Sequence, residues 1–264
     1  MPIKNKYFIL ILIVILAAAG FLIWQDFQKT KKTTQEEIGS KNPASPAKAG
    51  EKIATSTAEK QSAGQAKETA DYFKIRMPSL DKEIVVKGNF TEVQKADLIQ
   101  QIKDASELLK GNFDYYQGWL HLGLLKKAIE DYQGAEESWK FAALIRPKEF
   151  LAFNNLGVLY HFYLKDYSKA EENFLKAIEN KPGEMMVYQN LHELYRFSYQ
   201  EKADLADDIL LQALKQDPKN IGVLTTLGQY YQEIGDKAKA RTYYEKALVL
   251  DPLNEAIQTE LNRF

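Results

Sequence analysis

LGVLYHFYLKDYSKAEENFLKAIENKP (residues 156–182) and LGQYYQEIGDKAKARTYYEKALVLDP (residues 227–252) are two copies of one pattern, and that pattern decides the fold. Each copy opens on Leu-Gly and reaches an aromatic residue, Tyr160 or Tyr231, on the same helical stripe. Each then passes Ala, aromatic, Ala (Ala170, Phe174, Ala177; Ala240, Tyr244, Ala247) and closes on Pro182 or Pro252. Two weaker copies flank or separate them. One runs from Trp119, Leu122 and Gly123 through Ala135, Trp139 and Ala142 to Pro147. The other runs from Leu191 and Tyr195 through Ala206, Leu210 and Ala213 to Pro218. A near-constant period of roughly 34–36 residues marks stacked supersecondary units, none of which can bury its apolar face alone.

The chemistry of the slots gives each unit two helices. Leu, Gly and the first aromatic fall on one face. The Gly lets a partner helix approach closely, which must outweigh the roughly 1 kcal/mol that Gly costs inside a helix. The small Ala residues of the second helix permit tight packing, and its aromatic fills the space between hairpins. The proline lacks an N–H and forces its predecessor out of the helical region, so Asp217-Pro218 and Asp251-Pro252 end helices. The set of slots resembles the tetratricopeptide repeat family. That resemblance implies an all-α, right-handed solenoid of helical hairpins, with units at 115–147, 149–182, 184–218 and 220–252.

Departures from the pattern carry their own expectations. The second unit has one extra residue between Tyr160 and Tyr167. In the third, His192 takes the Gly slot and about two residues are inserted around 197–203, so that hairpin is expected to be loosened or kinked. The first has Lys126 where the others have an aromatic.

Outside the repeats, a helix is expected at 91–111, with Thr91 as N-cap and Gly111-Asn112 as its stop. It caps one end of the array, and a solvating helix within 253–264 closes the other. Residues 71–90 bring back apolar side chains (Tyr72, Phe73, Ile75, Met77, Leu80, Ile84, Val85, Val86). They read as an extended strip against the helices, with room for a short strand at 83–87. Folding of this strip into the binding groove is one open alternative. Residues 25–70 are rich in Lys, Ala, Ser, Thr, Gln and Glu, too polar to offset their ordering entropy, and read as a flexible tether.

Residues 7–24, YFILILIVILAAAGFLIW, form an uncharged run after the tail 1–6. As a helix it is roughly 27 Å long, near the lower limit for a bilayer span. Ala17-Ala18-Ala19 offers a cleavage site for a signal peptide, but the apolar run continues through residues 21–24, which favours an uncleaved anchor. Lys4 and Lys6 nearly balance Lys29, Lys31 and Lys32. A short tail before a single span places the repeats on the extracytoplasmic side.

Composition narrows the chemistry. The net charge is −1, so no global field draws nucleic acid. There is no cysteine, which excludes disulfides, thiolate metal sites and a cysteine nucleophile. His121, His161 and His192 fall at different angles on successive first helices and are not expected to share a metal. Glu136-Glu137 and Glu171-Glu172 read as solvated charges at helix starts. No phosphate-cradling loop or nucleophile elbow occurs. The expectation is a non-enzyme with no cofactor and no evident small-molecule substrate, whose ligand is a peptide or protein and whose membrane contact is residues 7–24.

Helix geometry at 100° per residue separates a face opposite the Leu-Gly stripe. In the first unit it holds Gln117, Leu120, Leu124 and Lys127. In the second it holds Leu151, Asn154, Val158 and His161, with Phe162 at its margin. The third contributes Met186, Gln189, Glu193, Arg196 and Phe197, and the fourth Thr225, Gln229, Gln232 and Glu233. The resemblance implies that these faces line a concave groove, and Glu193 is within reach of Arg196 for an i,i+3 pair. The function this suggests is a membrane-anchored interaction scaffold. An accessory subunit of a membrane enzyme or envelope assembly, and a self-associating scaffold, stand as alternatives.

Overall fold

The computed structural model describes residues 73 and 76–264. The expected tail, span and tether, and residues 71, 72, 74 and 75 of the strip, lie outside the described residues. The chain divides after Met77, and the unit Pro78–Phe264 contains all the repeats.

Ten α-helices follow one another in that unit, and no strand occurs among the described residues. Helix α1 spans Glu92–Gly111. The first hairpin is α2 (Tyr116–Ala128) and α3 (Tyr132–Ile145). The second is α4 (Phe150–Leu159) and α5 (Tyr167–Asn180). The third is α6 (Met185–Glu193) and α7 (Ala206–Gln216), and the fourth α8 (Ile221–Glu233) and α9 (Lys237–Leu250). Helix α10, Glu255–Leu261, ends the array. Each second helix packs on the first helix of its own hairpin and on that of the next. This is an all-helical, tetratricopeptide-like solenoid.

Local chemistry fixes the helix ends. Thr91 forms a capping box with Gln94 at the start of α1, and Asn112 caps its far end. Asp131, Asp166 and Asp236 cap α3, α5 and α9, accepting from the N–H of Gly134, Lys169 and Lys239. One residue before these caps the chain must enter the left-handed region. Gly235 does so without a Cβ (φ 86°), whereas Glu130 (φ 60°) and Lys165 (φ 57°) do so at a steric cost. Asp217 and Asp251, each before a proline, cap the C-termini of α7 and α9.

The glycine slots work by close approach. A Cβ on Gly157 would lie 2.5 Å from the Phe174 ring, and one on Gly228 2.8 Å from Tyr244. Both rings are fully buried, as is Trp139 against Gly123. In the third hairpin His192 is itself buried. Its Nδ1 is 2.8 Å from the Ala206 carbonyl at the start of α7, and its ring meets Tyr230 edge-on. The imidazole therefore bridges the two helices and the next unit; of the loosening or kink expected there, a kink is what occurs, at Lys202 (φ −122°, ψ 15°) in the connection between the two helices.

The inserted residues take a definite form. The extra residue of the second unit is absorbed in a π-helical turn, Tyr160–Leu164, that ends α4. The third unit has a matching π turn, Leu194–Ser198, followed by a 3-10 segment, Gln200–Leu205.

Residues 78–90 run extended beside α1 and the first hairpin. The expected strand at 83–87 does not form, because the backbone bond there, Lys87 N–H to the Ile129 carbonyl (3.1 Å), has no neighbouring strand with which to build a ladder. Lys82 reaches Glu137 at 2.6 Å and Asp81 pairs with Lys110 at 2.5 Å. Pro78, Ser79 and Leu80 close a small cavity shared with Ser106, Trp119, Leu122, Lys126 and Ser138. This face belongs to Trp119 and Leu122, not to Leu124 and Lys127. Residues 78–90 thus cover the end of the solenoid and do not enter the expected groove.

Candidate interaction surface

A ladder of tyrosine–carboxylate bonds sets the register between hairpins. Tyr160 Oη donates to Glu136 at 2.6 Å, Tyr195 donates to Glu171, and Tyr231 donates to Asp207 at 2.7 Å. Each pair spans 24 residues and joins a first helix to the second helix before it. Burial raises all three phenol pKa values, and the carboxylate partners raise them further. Burial alone would raise the Glu136 carboxyl, but its bonds from Lys140 and Tyr160 outweigh that and hold it below the usual range. Glu171 also accepts from Lys202. Glu136 and Glu171 are therefore structural partners, where sequence alone read them as solvated; Glu172 is exposed as expected. Lys126, in the aromatic slot of the first unit, is buried along its stem and pairs with Asp131 at 3.0 Å.

The ladder places two residues in equivalent positions just beyond it. Phe162 follows Tyr160 by two residues and Phe197 follows Tyr195 by two, and they are 40% and 61% exposed. Met186, on the same expected face, is 48% exposed. The third position along this row is Glu233.

Bonds 36 or 37 residues apart tie neighbouring first helices into a continuous wall. Asn190 donates to Asn154 (3.0 Å), Gln189 lies 3.4 Å from Thr226 Oγ1, and Arg196 pairs with Glu233 at 2.8 Å. Arg196 also stacks over the rings of Tyr230 and Phe197. The expected Glu193–Arg196 pair is thus replaced by Arg196–Glu233, because the longer reach to the next hairpin combines a carboxylate with an aromatic face.

The eighteen expected groove residues divide into three groups. Gln117, Phe162, Met186, Glu193, Phe197, Gln229 and Glu233 are exposed, and Leu124, Lys127, Leu151, Val158, Gln189, Arg196, Thr225 and Gln232 are partly so. Leu120, Asn154 and His161 are buried. Asn154 is taken by Asn190, and His161 Nε2 lies 2.8 Å from Ser198 Oγ. Gln232 turns toward the C-terminal cap, accepting from Tyr244 and donating to Glu260. Asn154, His161 and Gln232 thus face neighbouring helices, which a single-helix projection cannot see. Sequence reasoning missed Asn190, Ser198, Thr226 and Tyr230, although the repeat period itself pairs three of them with named residues.

Lys127 is held over the Tyr163 ring, 5.7 Å from its centre, and burial lowers its pKa. Burial likewise lowers His121 and His192. No group of three or more potential metal ligands occurs among the described residues. Nor, among those residues, is any helix long and apolar enough to cross a membrane.

Two segments match family models described as tetratricopeptide repeat: residues 151–184 and 222–254. These are the second and fourth hairpins, the two with the fullest pattern. No curated protein sequence matches the chain. Among solved structures the chain is similar to MamA (22% identity, 61% of this chain and 92% of that one, TM-score 0.49). It is also similar to YrrB, described as a TPR protein with an unusual peptide-binding site (16%, 63% and 84%, TM-score 0.46). A third is a thermophilic TPR protein of Thermus thermophilus (18%, 65% and 93%, TM-score 0.45). The fold rests on the helix order and packing of the chain itself.

Proposed function

We propose that this chain is a membrane-tethered interaction scaffold whose first-helix wall binds a peptide or partner protein. The observation that supports it is the pair Phe162 and Phe197, two large apolar side chains held in register on adjacent hairpins and left open to solvent. Rigid aromatic anchors of this kind, flanked by polar groups, are what a partner covers in a binding interface. Around them stand the partly exposed Leu124 and Val158, the exposed Met186 and Gln229, and the Arg196–Glu233 pair. Binding would draw on burial of the two rings, with the polar groups setting orientation. No reaction is assigned to the chain.

Residues 7–24 supply the anchor in this reading and 25–70 the tether, with the repeats on the extracytoplasmic side. A random coil of that length reaches on the order of 35–40 Å, enough for the array to sample partners near the bilayer. Photo-crosslinking residues placed at Val158, Phe197 and Gln229 should capture a partner in membranes, while the same probes at Lys140 and Leu175 on second helices should not. Capture from the second-helix positions alone overturns the assignment of the wall. Release of the full chain from membranes by alkaline carbonate overturns the anchor.

A further inference from the structure

The two π turns occur at corresponding places in the second and third hairpins, and a buried histidine joins them. His161 lies in the first turn and is 1% exposed; Ser198, whose Oγ is 2.8 Å from His161 Nε2, closes the second. The other ring nitrogen, Nδ1, is buried with no hydrogen-bond partner among the described residues. The ring is flanked instead by aromatic rings, Phe162 tilted against it with centroids 3.9 Å apart and Tyr167 edge-on at 6.3 Å. Tyr167 in turn meets Tyr199, the residue after the second turn.

A neutral imidazole fits this site and an imidazolium does not. Protonation would make both ring nitrogens donors, and one of them would be a buried N–H of a cation with nothing to accept it. The charged groups on the elements packed here offer no relief. Lys165, at the end of the same turn, is a like charge. Asp166, at the start of α5, is held by Lys169, and Glu171 is held by Lys202 and Tyr195. The third hairpin is held at its centre by His192 but departs from regular helix at its connection. Its two helices are joined through a 3-10 segment in which Lys202 leaves helical geometry (φ −122°, ψ 15°), and it has no close-approach glycine.

We propose that the contact between the two π turns is an acid-sensitive joint: protonation of His161 separates the second and third hairpins at this point. The joint carries Phe162 next to His161 and Phe197 next to Ser198, so its opening disrupts the aromatic pair. The consequence for partner binding rests on the function proposed above; the opening itself does not. With an ordinary histidine value of 6.5 outside the site and about 4 within it, because burial and then Lys165 oppose the charge, acid favours the open form. The gain is about 30-fold at pH 5 and approaches about 300-fold below pH 4.

The test is amide hydrogen exchange on the repeat-containing chain between pH 7 and pH 4.5, corrected for intrinsic rates, with far-UV circular dichroism to monitor helix content. Peptides covering 160–164 and 194–198 should lose protection as pH falls through 6 to 4.5 while helix content and the fourth hairpin stay unchanged. His161→Asn, which does not titrate, should abolish that transition. The same acid transition in His161→Asn, or loss of protection throughout the array at once, overturns the proposal. Should His161→Asn fail to fold, the wild-type chain decides by NMR. A His161 ring signal and π-turn amides moving together, with a midpoint well below 6.5, support the joint; a ring midpoint near 6.5 or unmoved amides refute it. A joint that opens without any effect on ligand affinity leaves this proposal standing and counts instead against the binding wall.

Discussion

Replacing Gly157 by Ala tests the packing on which every hairpin depends. The new methyl carbon would sit 2.5 Å from two carbons of the Phe174 ring, which is fully buried and flanked by the buried Ala170 and Ala177. A ring so enclosed has little room to move, and overpacking of this kind costs about 1–3 kcal/mol. Alanine returns about 1 kcal/mol of helix propensity. The net expectation is a loss of up to about 2 kcal/mol, or a Tm lowered by up to roughly 8 °C for an array of this size. Urea and thermal unfolding followed by circular dichroism measure it. The decisive comparison is with Phe174→Ala. That change alone should cost about 3–5 kcal/mol, but adding Gly157→Ala to it should now stabilise the protein by up to about 1 kcal/mol, because the obstruction is gone. Gly111→Ala is the control: nothing lies within 4 Å of its Cβ position, so it should stabilise. A Gly157→Ala protein more stable than wild type, with effects simply additive to Phe174→Ala, would refute the close-approach argument.

Three further outcomes follow from the same geometry. Lys165→Gly and Glu130→Gly should each stabilise by up to about 1 kcal/mol in urea unfolding, since both residues hold positive φ with a Cβ. Stability should fall above pH 10. Burial pushes Tyr116 and Tyr244 up to about 12, so their folded-state protons are held more tightly, and the stability they contribute is present below pH 10 and lost as pH rises toward 12. Tyr244→Phe should lessen that alkaline loss by about 2–3 kcal/mol in unfolding experiments at pH 8 and above. Compared with residues 78–264, residues 91–264 alone should expose Trp119 and Leu122, red-shifting tryptophan emission and lowering Tm, because residues 78–90 close over that end of the solenoid.

The hairpin architecture was legible because each slot has a local physical meaning. Gly157 and Gly228 announce close helix contact, Pro147, Pro182, Pro218 and Pro252 announce helix ends, and the even spacing of the prolines gives four units. Thr91 could be named as a cap from its neighbours alone, and it caps. The wall was legible only in part. A projection around one helix finds Phe162, Phe197, Met186 and Gln229, but it cannot tell which polar residues are consumed by the adjoining hairpin. Asn154 and His161 lie on the expected face and are covered there by Asn190 and Ser198. The insertions were visible as changes of spacing, yet their resolution into π turns depends on the hydrogen-bond ladder of α4 and α6. The His192 slot shows the same limit. Its size argues for a gap, and only the Ala206 carbonyl opposite explains why the hairpin remains closed.

The central claim is that the first-helix wall is where a partner sits, and titration calorimetry on a ligand selected against the purified repeats tests it most directly. Phe162→Ala with Phe197→Ala should weaken binding by at least about tenfold, as expected for loss of anchoring aromatic groups. Leu175→Ala with Val249→Ala, on exposed positions of second helices, should leave affinity unchanged. Full affinity in the first variant together with loss in the second would contradict the account.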